Sequence, residues 1–409
     1  MPIPRFWQGA LARKTMASDP RSLAGEALAA ALRESRARTR AWTFDLSDAQ
    51  WQVPRQAGVN LTAWELAHLA WFGEFWVLRG PHTVDGQGYV QAQRPATIAG
   101  PDALFDSARL PHIARWSAPL PTRAELDERL DAQLDACLSA LADVDGSDAS
   151  LYFQRLVLFH EDMHCEAFAW LRATLGYSAP VGVALPRMVE APSLPIPATR
   201  ADIGWPKGRP GFAFDNEGDA HAIDLAAYEI DATPVSAGSY VRFVEAGGYD
   251  EPALWPGEAG AWRAAHPRRH PARWRRADDG WETRWFDQWR PLDPQQPAIH
   301  LSAWEAEAYA RWAGRRLPSA AEWEHAAQTH SGFAWGGSVW EWTADVFAPY
   351  PGFEPGPYRD YSAPWFGEHR ELRGGAFATH ARLHDARYRN FFQPGRHDVF
   401  AGFRTASLP

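Results

Sequence analysis

The sequence predicts an α+β protein in two parts, a helical bundle over residues 1–176 and an irregular α+β domain over 201–409, joined by a Pro-rich stretch at 177–200. Three observations carry that reading. The first half holds four segments with apolar residues at helical spacing. Residues 177–200 (YSAPVGVALPRMVEAPSLPIPATR) lack that spacing and are rich in proline, a composition typical of domain boundaries. Beyond them, short β-like pieces alternate with Gly/Pro turns. The 409 residues suffice for two cores, and 46% hydrophobic with 22% charged residues excludes a disordered, collagen-like or coiled-coil chain.

A first helix is expected over 21–42, rich in Ala, Leu, Arg and Glu, with Leu23, Leu28 and Leu32 near helical spacing. Asn60 or Thr62 can cap a second, LTAWELAHLAWFGEFWVLR, whose Trp64, Leu66, His68, Leu69 and Phe72 belong to a broad apolar face. Thr122 followed by Glu125 forms a capping-box pattern ahead of a third helix at 122–142. The fourth, 148–176, stops at Gly176, a residue suited to the left-handed closing turn. Four amphipathic helices make a bundle, whose interior is a usual place for metal ligands. In the second half GFAFDNE (211–217), HAIDLAAYEID (221–231), ELRGGAFA (371–378) and VFAGFRTA (399–406) read as strands, and 302–313 and 319–328 as short helices.

A net charge of −9 gives the surface no general attraction for phosphate backbones, so nucleic acid is not an expected partner. The basic stretch Arg263 to Arg276 sits among Pro and Trp and reads as a solvated loop. Two cysteines, Cys137 and Cys165, cannot build a disulfide framework and point to a reducing compartment. The N-terminus has no continuous apolar region and the chain no run of 18 apolar residues, so a soluble, cytoplasmic protein without a membrane partner is expected. Of 22 tryptophans, eight lie in 1–200 and fourteen after; core filling is their default role.

His160-Glu161-Asp162-Met163-His164 is the strongest chemical signal, because residues i and i+4 share a helix face and both imidazoles can reach one ion. The same HExxH pattern occurs in zinc proteases with the Glu as general base, but that reading needs a further downstream ligand, and the Pro-rich stretch offers no helix to supply it. Upstream, His68 falls on the apolar side of the second helix. Alone it reads as a core histidine; beside a His pair on another helix of one bundle it becomes the third ligand. Three neutral imidazoles leave positions open, as O₂-activating non-haem iron needs, whereas a structural zinc site is closed by its ligands. A zinc hydrolase is the chemical competitor.

The strings Gly314-Arg315-Arg316-Leu317-Pro318-Ser319-Ala320-Ala321-Glu322-Trp323-Glu324, Val339-Trp340-Glu341-Trp342-Thr343, Leu372-Arg373-Gly374-Gly375-Ala376-Phe377 and Ala401-Gly402-Phe403-Arg404, in this order, resemble the sulfatase-modifying-factor domain. That resemblance implies the C-type-lectin-like fold of formylglycine-generating enzymes. It does not imply their activity, which uses a cysteine pair in this domain, whereas both cysteines here lie in the helical half. With the histidine-bearing bundle ahead of it, nearly the whole chain resembles the ergothioneine sulfoxide synthase family, a DinB-like bundle fused to such a domain. The resemblance implies Fe(II) held by three histidines, matched one by one by His68, His160 and His164. It also implies O₂ as co-substrate and the joining of a chalcogen to the imidazole of hercynine (Nα-trimethylhistidine).

Two departures bear on the chalcogen donor. Ergothioneine-type members read HEQQH, with the second Gln near hercynine; here that position is Met163. Mycobacterial-type members follow Arg-Asn with Trp-Asp, which helps bind γ-glutamylcysteine; here the string is Arg389-Asn390-Phe391-Phe392. The combined pattern is most similar to selenoneine synthases, which take a selenosugar; cysteine or γ-glutamylcysteine is the alternative donor. The family uses a second-domain tyrosine for proton or hydrogen transfer. Tyr350 is the candidate, with Tyr358 and Tyr361 as competitors. Phe391 and Phe392 are expected to cage the trimethylammonium. Arg396 and Arg115 are expected to bind carboxylate or sugar hydroxyls, each equally readable as a surface ion pair. A binding-only alternative, a lectin-like sugar site beside a structural bundle, predicts no dependence on iron.

Overall fold

Four helices form where helical spacing and capping signals coincide in the first half of the computed structural model, which describes residues 19–408. They are α1 (Gly25–Thr43), α2 (Thr62–Gly73), α3 (Arg123–Ala142) and α4 (Asp148–Leu175). The expectation that residues 1–18 hold no apolar leader lies outside the described residues. Thr122 accepts from the Glu125 N–H at 3.3 Å while Glu125 accepts from the Thr122 N–H at 2.7 Å, the reciprocal bonding that starts α3. Gly176 closes α4 at φ 69°. α1 packs on α4, and α2 on α3. Every residue of α2 is buried, Glu65 and His68 included, so the polar pair needs partners inside the bundle.

In the second half the central sheet runs Asn390–Phe392, Arg370–Gly374, Trp340–Val346, Ala401–Gly402, antiparallel except for the last, parallel pair. The two expected helices form as Ala303–Trp312 and Ala320–Thr329, each with a Ser–Glu capping box. GFAFDNE is not a strand: the Phe212 N–H bonds to the Arg21 carbonyl, and Asp215–Glu217 is a 3-10 turn. HAIDLAAYEID divides into two strands. His221–Leu225 pairs with Thr199–Ile203 and Tyr228–Ile230 with Leu194–Ile196, so strand pairing begins inside the stretch read as linker. The helices Ala237–Glu245 and Glu258–Ala265 and a three-stranded sheet over 274–291 were not expected from the sequence.

The two halves share one apolar core, which runs from Leu28 and Phe159 through Trp340 and Phe403. Polar bonds cross the seam as well. Glu166 of α4 accepts from the Trp340 indole and the Thr379 hydroxyl, both at 2.6 Å, and Asp162 faces Arg38 and Arg382. Both cysteines are free and buried, and no helix among the described residues is long and apolar enough to cross a membrane.

Candidate metal centre

His160 and His164, one turn apart on α4, meet His68 of α2 so that one nitrogen from each lies within 4.8 Å of the other two. His68 Nε2 is 3.3 Å from His160 Nε2. An ion with bonds of about 2.1 Å spans nitrogens up to roughly 4 Å apart, so small rotations suffice for all three to share one.

The free faces of two rings follow from what the other faces touch. His68 Nδ1 lies 2.7 Å from the Phe105 carbonyl, which can only accept, so Nδ1 carries the hydrogen and Nε2 presents a lone pair. His164 Nδ1 lies 2.6 Å from a Glu65 carboxylate oxygen, which orients the third ring in the same way. Burial first, then the neighbouring imidazoles, push His68 and His160 well below their ordinary pKa, so both are neutral, the form that ligates. Trp64 and Trp71 sandwich His68 at 5.1 and 5.6 Å, and Phe72 stacks on His160 at 3.5 Å. The donor set fits a divalent transition metal with positions left open: three neutral imidazoles, no thiolate. Glu161 points elsewhere. It accepts from Arg36 at 2.7 and 3.1 Å and from Thr39 at 2.8 Å, which removes the general base a zinc protease of this pattern requires.

The second half closes the site with tyrosines, and here the expectation needs correcting. Tyr350 is not beside the histidines. Its hydroxyl accepts from Arg373 at 2.8 Å, the Arg389 guanidinium lies 3.9 Å from its ring, and it packs with the separate cluster around Trp323. Tyr358, one of its two competitors, lies nearer, 6.1 Å from His160 and 5.1 Å from Phe72 between ring centres. Burial raises its pKa, so the phenol keeps its proton. Met163 has the Tyr388 hydroxyl 3.2 Å and the Tyr361 hydroxyl 3.7 Å from its sulfur.

Phe391 and Phe392 do not form one cage. As consecutive residues of a strand they project to opposite sides. Phe391 stacks on Phe347 at 4.2 Å, while Phe392 meets Trp170 at 5.7 Å and the Arg396 guanidinium at 4.9 Å. Arg396 is also paired with Asp398. Arg115 is buried: it lies 3.7 Å over Trp64 and donates to Asn60 at 2.6 Å, and burial lowers its pKa to about 10. A cavity of about 320 Å³ lined by Gly58, Asn60, Glu65, His112, Trp170 and Arg396 opens at Glu65, the partner of His164. Sequence reasoning missed Glu65, Trp170 and Tyr388. Glu65 was signalled, being an acidic residue one turn before His68 on an otherwise apolar helix.

Comparison with known proteins agrees with this layout. Residues 31–171 match the DinB superfamily, and 194–337 with 332–408 match the sulfatase-modifying factor enzyme 1-like domain. A hercynine oxygenase of Mycolicibacterium thermoresistibile is 30% identical over 88% of this chain and 90% of its own. Another, of Mycolicibacterium smegmatis, is 30% identical over 94% and 99%. A formylglycine-generating enzyme of Streptomyces coelicolor is 26% identical over 45% of this chain and 80% of its own. The chain therefore belongs to the hercynine oxygenase family, as a DinB-superfamily bundle joined to a sulfatase-modifying-factor domain.

Proposed function

We propose that the chain is a selenoneine synthase: an Fe(II)- and O₂-dependent enzyme that forms a C–Se bond between the hercynine imidazole and a selenosugar. The single observation that supports the chemistry is the convergence of His68, His160 and His164 with two of the three rings held by acceptors on their Nδ1 side. Bound there, iron supplies O₂ activation next to two reactants held in one geometry. One imidazole C–H and one Se–H bond are given up, C–Se and Se–O bonds form, and the second oxygen atom leaves as water.

The chain's residues bind and orient. Glu65 and the Phe105 carbonyl fix two imidazoles, and the sandwich of Trp64, Trp71 and Phe72 keeps water from the histidine face. Tyr358 is the residue that holds a proton beside the reacting ring, in place of Tyr350. Arg115, buried with a neutral hydrogen-bond partner, suits a substrate carboxylate. The cavity at Glu65 suits the donor. Trp170 offers a face for a sugar ring, Asn60 and Arg396 offer polar contacts, and position 392 is a phenylalanine rather than a carboxylate that would pair with an amino-acid ammonium.

Competition decides the donor. The Fe(II)-loaded protein is given hercynine, O₂ and equal amounts of selenosugar, cysteine and γ-glutamylcysteine, and products are followed by mass. The selenosugar adduct should dominate. Selective turnover of cysteine or γ-glutamylcysteine replaces this reading by an ergothioneine-type C–S synthase.

A further inference from the structure

Arg21, in the turn Pro20–Ser22 ahead of the bundle, is only 1% exposed, a rare state for a guanidinium. It makes a two-pronged ion pair with Glu217 at 2.8 and 3.0 Å and donates to the Phe212 carbonyl at 3.3 Å. Four rings surround it, with centres at 5.0 Å (Phe159), 5.6 Å (Tyr388), 5.8 Å (Trp205) and 5.8 Å (Phe214). Three of these lead to the site. Phe159 precedes His160 on α4. Tyr388 bonds Tyr361 at 3.2 Å and Met163 at 3.2 Å, and Phe214 stacks on Tyr361 at 4.3 Å.

Stability alone is a weak reason for such a group. A buried ion pair is often matched or bettered by apolar residues of the same volume. What the pair adds is direction: a fork fixes the guanidinium plane against one carboxylate, and attraction to ring faces fixes the rings around it. We propose that Arg21 is a positioning residue, which through Tyr388 and Phe214 sets the Tyr361–Met163 wall against which the imidazole substrate lies. That this wall faces substrate rests on the function proposed above; its dependence on Arg21 does not.

The test is the full chain carrying R21L and E217Q together, so that no lone charge is left buried and no further methionine is added. The protein is labelled with methyl-¹³C methionine. The chain has four methionines: Met1, Met16, Met163 and Met188. Met163 lies against the two tyrosines, Met188 bonds through its N–H to Gln295, and M163L assigns the former's signal. The Met163 resonance should move and the Met188 resonance stay, with iron content unchanged. In turnover, KM for hercynine should rise about tenfold and KM for the donor stay within about twofold, a split that a mere loss of folded protein cannot produce. An unmoved Met163 signal, or a hercynine KM within about twofold of the parent, overturns the proposal. R21K, which keeps the charge and loses the fork, is read the same way if the double variant does not fold. If the parent protein does not turn over hercynine, the function above fails and the resonances alone decide Arg21.

Discussion

Glu65 brings a carboxyl group into a helix that is buried along its whole length, and it does so to turn one ring. The Glu65 carboxylate holds His164 by its Nδ1, and E65Q, which keeps the shape and weakens the acceptor, should lower iron affinity about 10–100-fold in a metal titration with little change in the fold. The tyrosines give the sharpest contrast. Y358F should lower kcat by about 10²–10⁴-fold with iron content intact. Y350F, which strips Arg373 of a buried acceptor, should lower the melting temperature and leave kcat of the folded protein near the parent's. The histidines were legible because a helix turns i/i+4 spacing into shared direction, and because an imidazole on an apolar face needs a partner. The tyrosine was not. Tyr350, Tyr358 and Tyr361 lie in a segment of loops and a short turn, where no period ties position to direction.

At the scale of elements, α4 serves both the site and the seam. One set of its residues carries the histidines; Asp162 and Glu166 bond α1 and the second half. Beside Asp162, Arg382 pairs with Glu34, and His380 faces both. Burial, then Arg382 and Arg38, bring His380 down to about 4 from 6.5. The unfolded chain therefore holds the proton between pH 6.5 and 4 while the folded one does not, and this contribution is present above pH 6.5 and lost as pH falls towards 4. It amounts to at most about 3 kcal/mol. H380Q should flatten that limb of the stability curve, measured by urea unfolding at several pH values. The four helices were legible from spacing and caps, as were the two short helices with their Ser–Glu boxes. GFAFDNE was not, since Phe212 and Phe214 alternate as in a strand while the backbone bonds instead to Arg21 and the Glu217 carboxylate.

For the whole molecule, the halves complete each other. The bundle brings the histidines, the second half brings Tyr358, Tyr361 and Tyr388, and the apolar core is continuous between them. The bundle expressed alone, residues 1–176, loses the Trp340 and Thr379 donors to Glu166 and exposes apolar surface, so it should bind a hydrophobic dye and hold iron more weakly than the full chain. The division into two parts was visible from the sequence because texture changes at the Pro-rich stretch; the shared core was not, because contacts between distant segments leave no local period. In the function proposed above, hercynine is oxidised at an iron held by His68, His160 and His164 at this seam. A single turnover decides this: parent and H164A are loaded anaerobically with Fe(II), mixed with hercynine and selenosugar, then given O₂, and the products are weighed by mass spectrometry. The parent should give a hercynine–selenosugar adduct only with both Fe(II) and O₂, and an H164A protein that remains folded should give none. Adduct formation by H164A, or by the parent without iron, would contradict it.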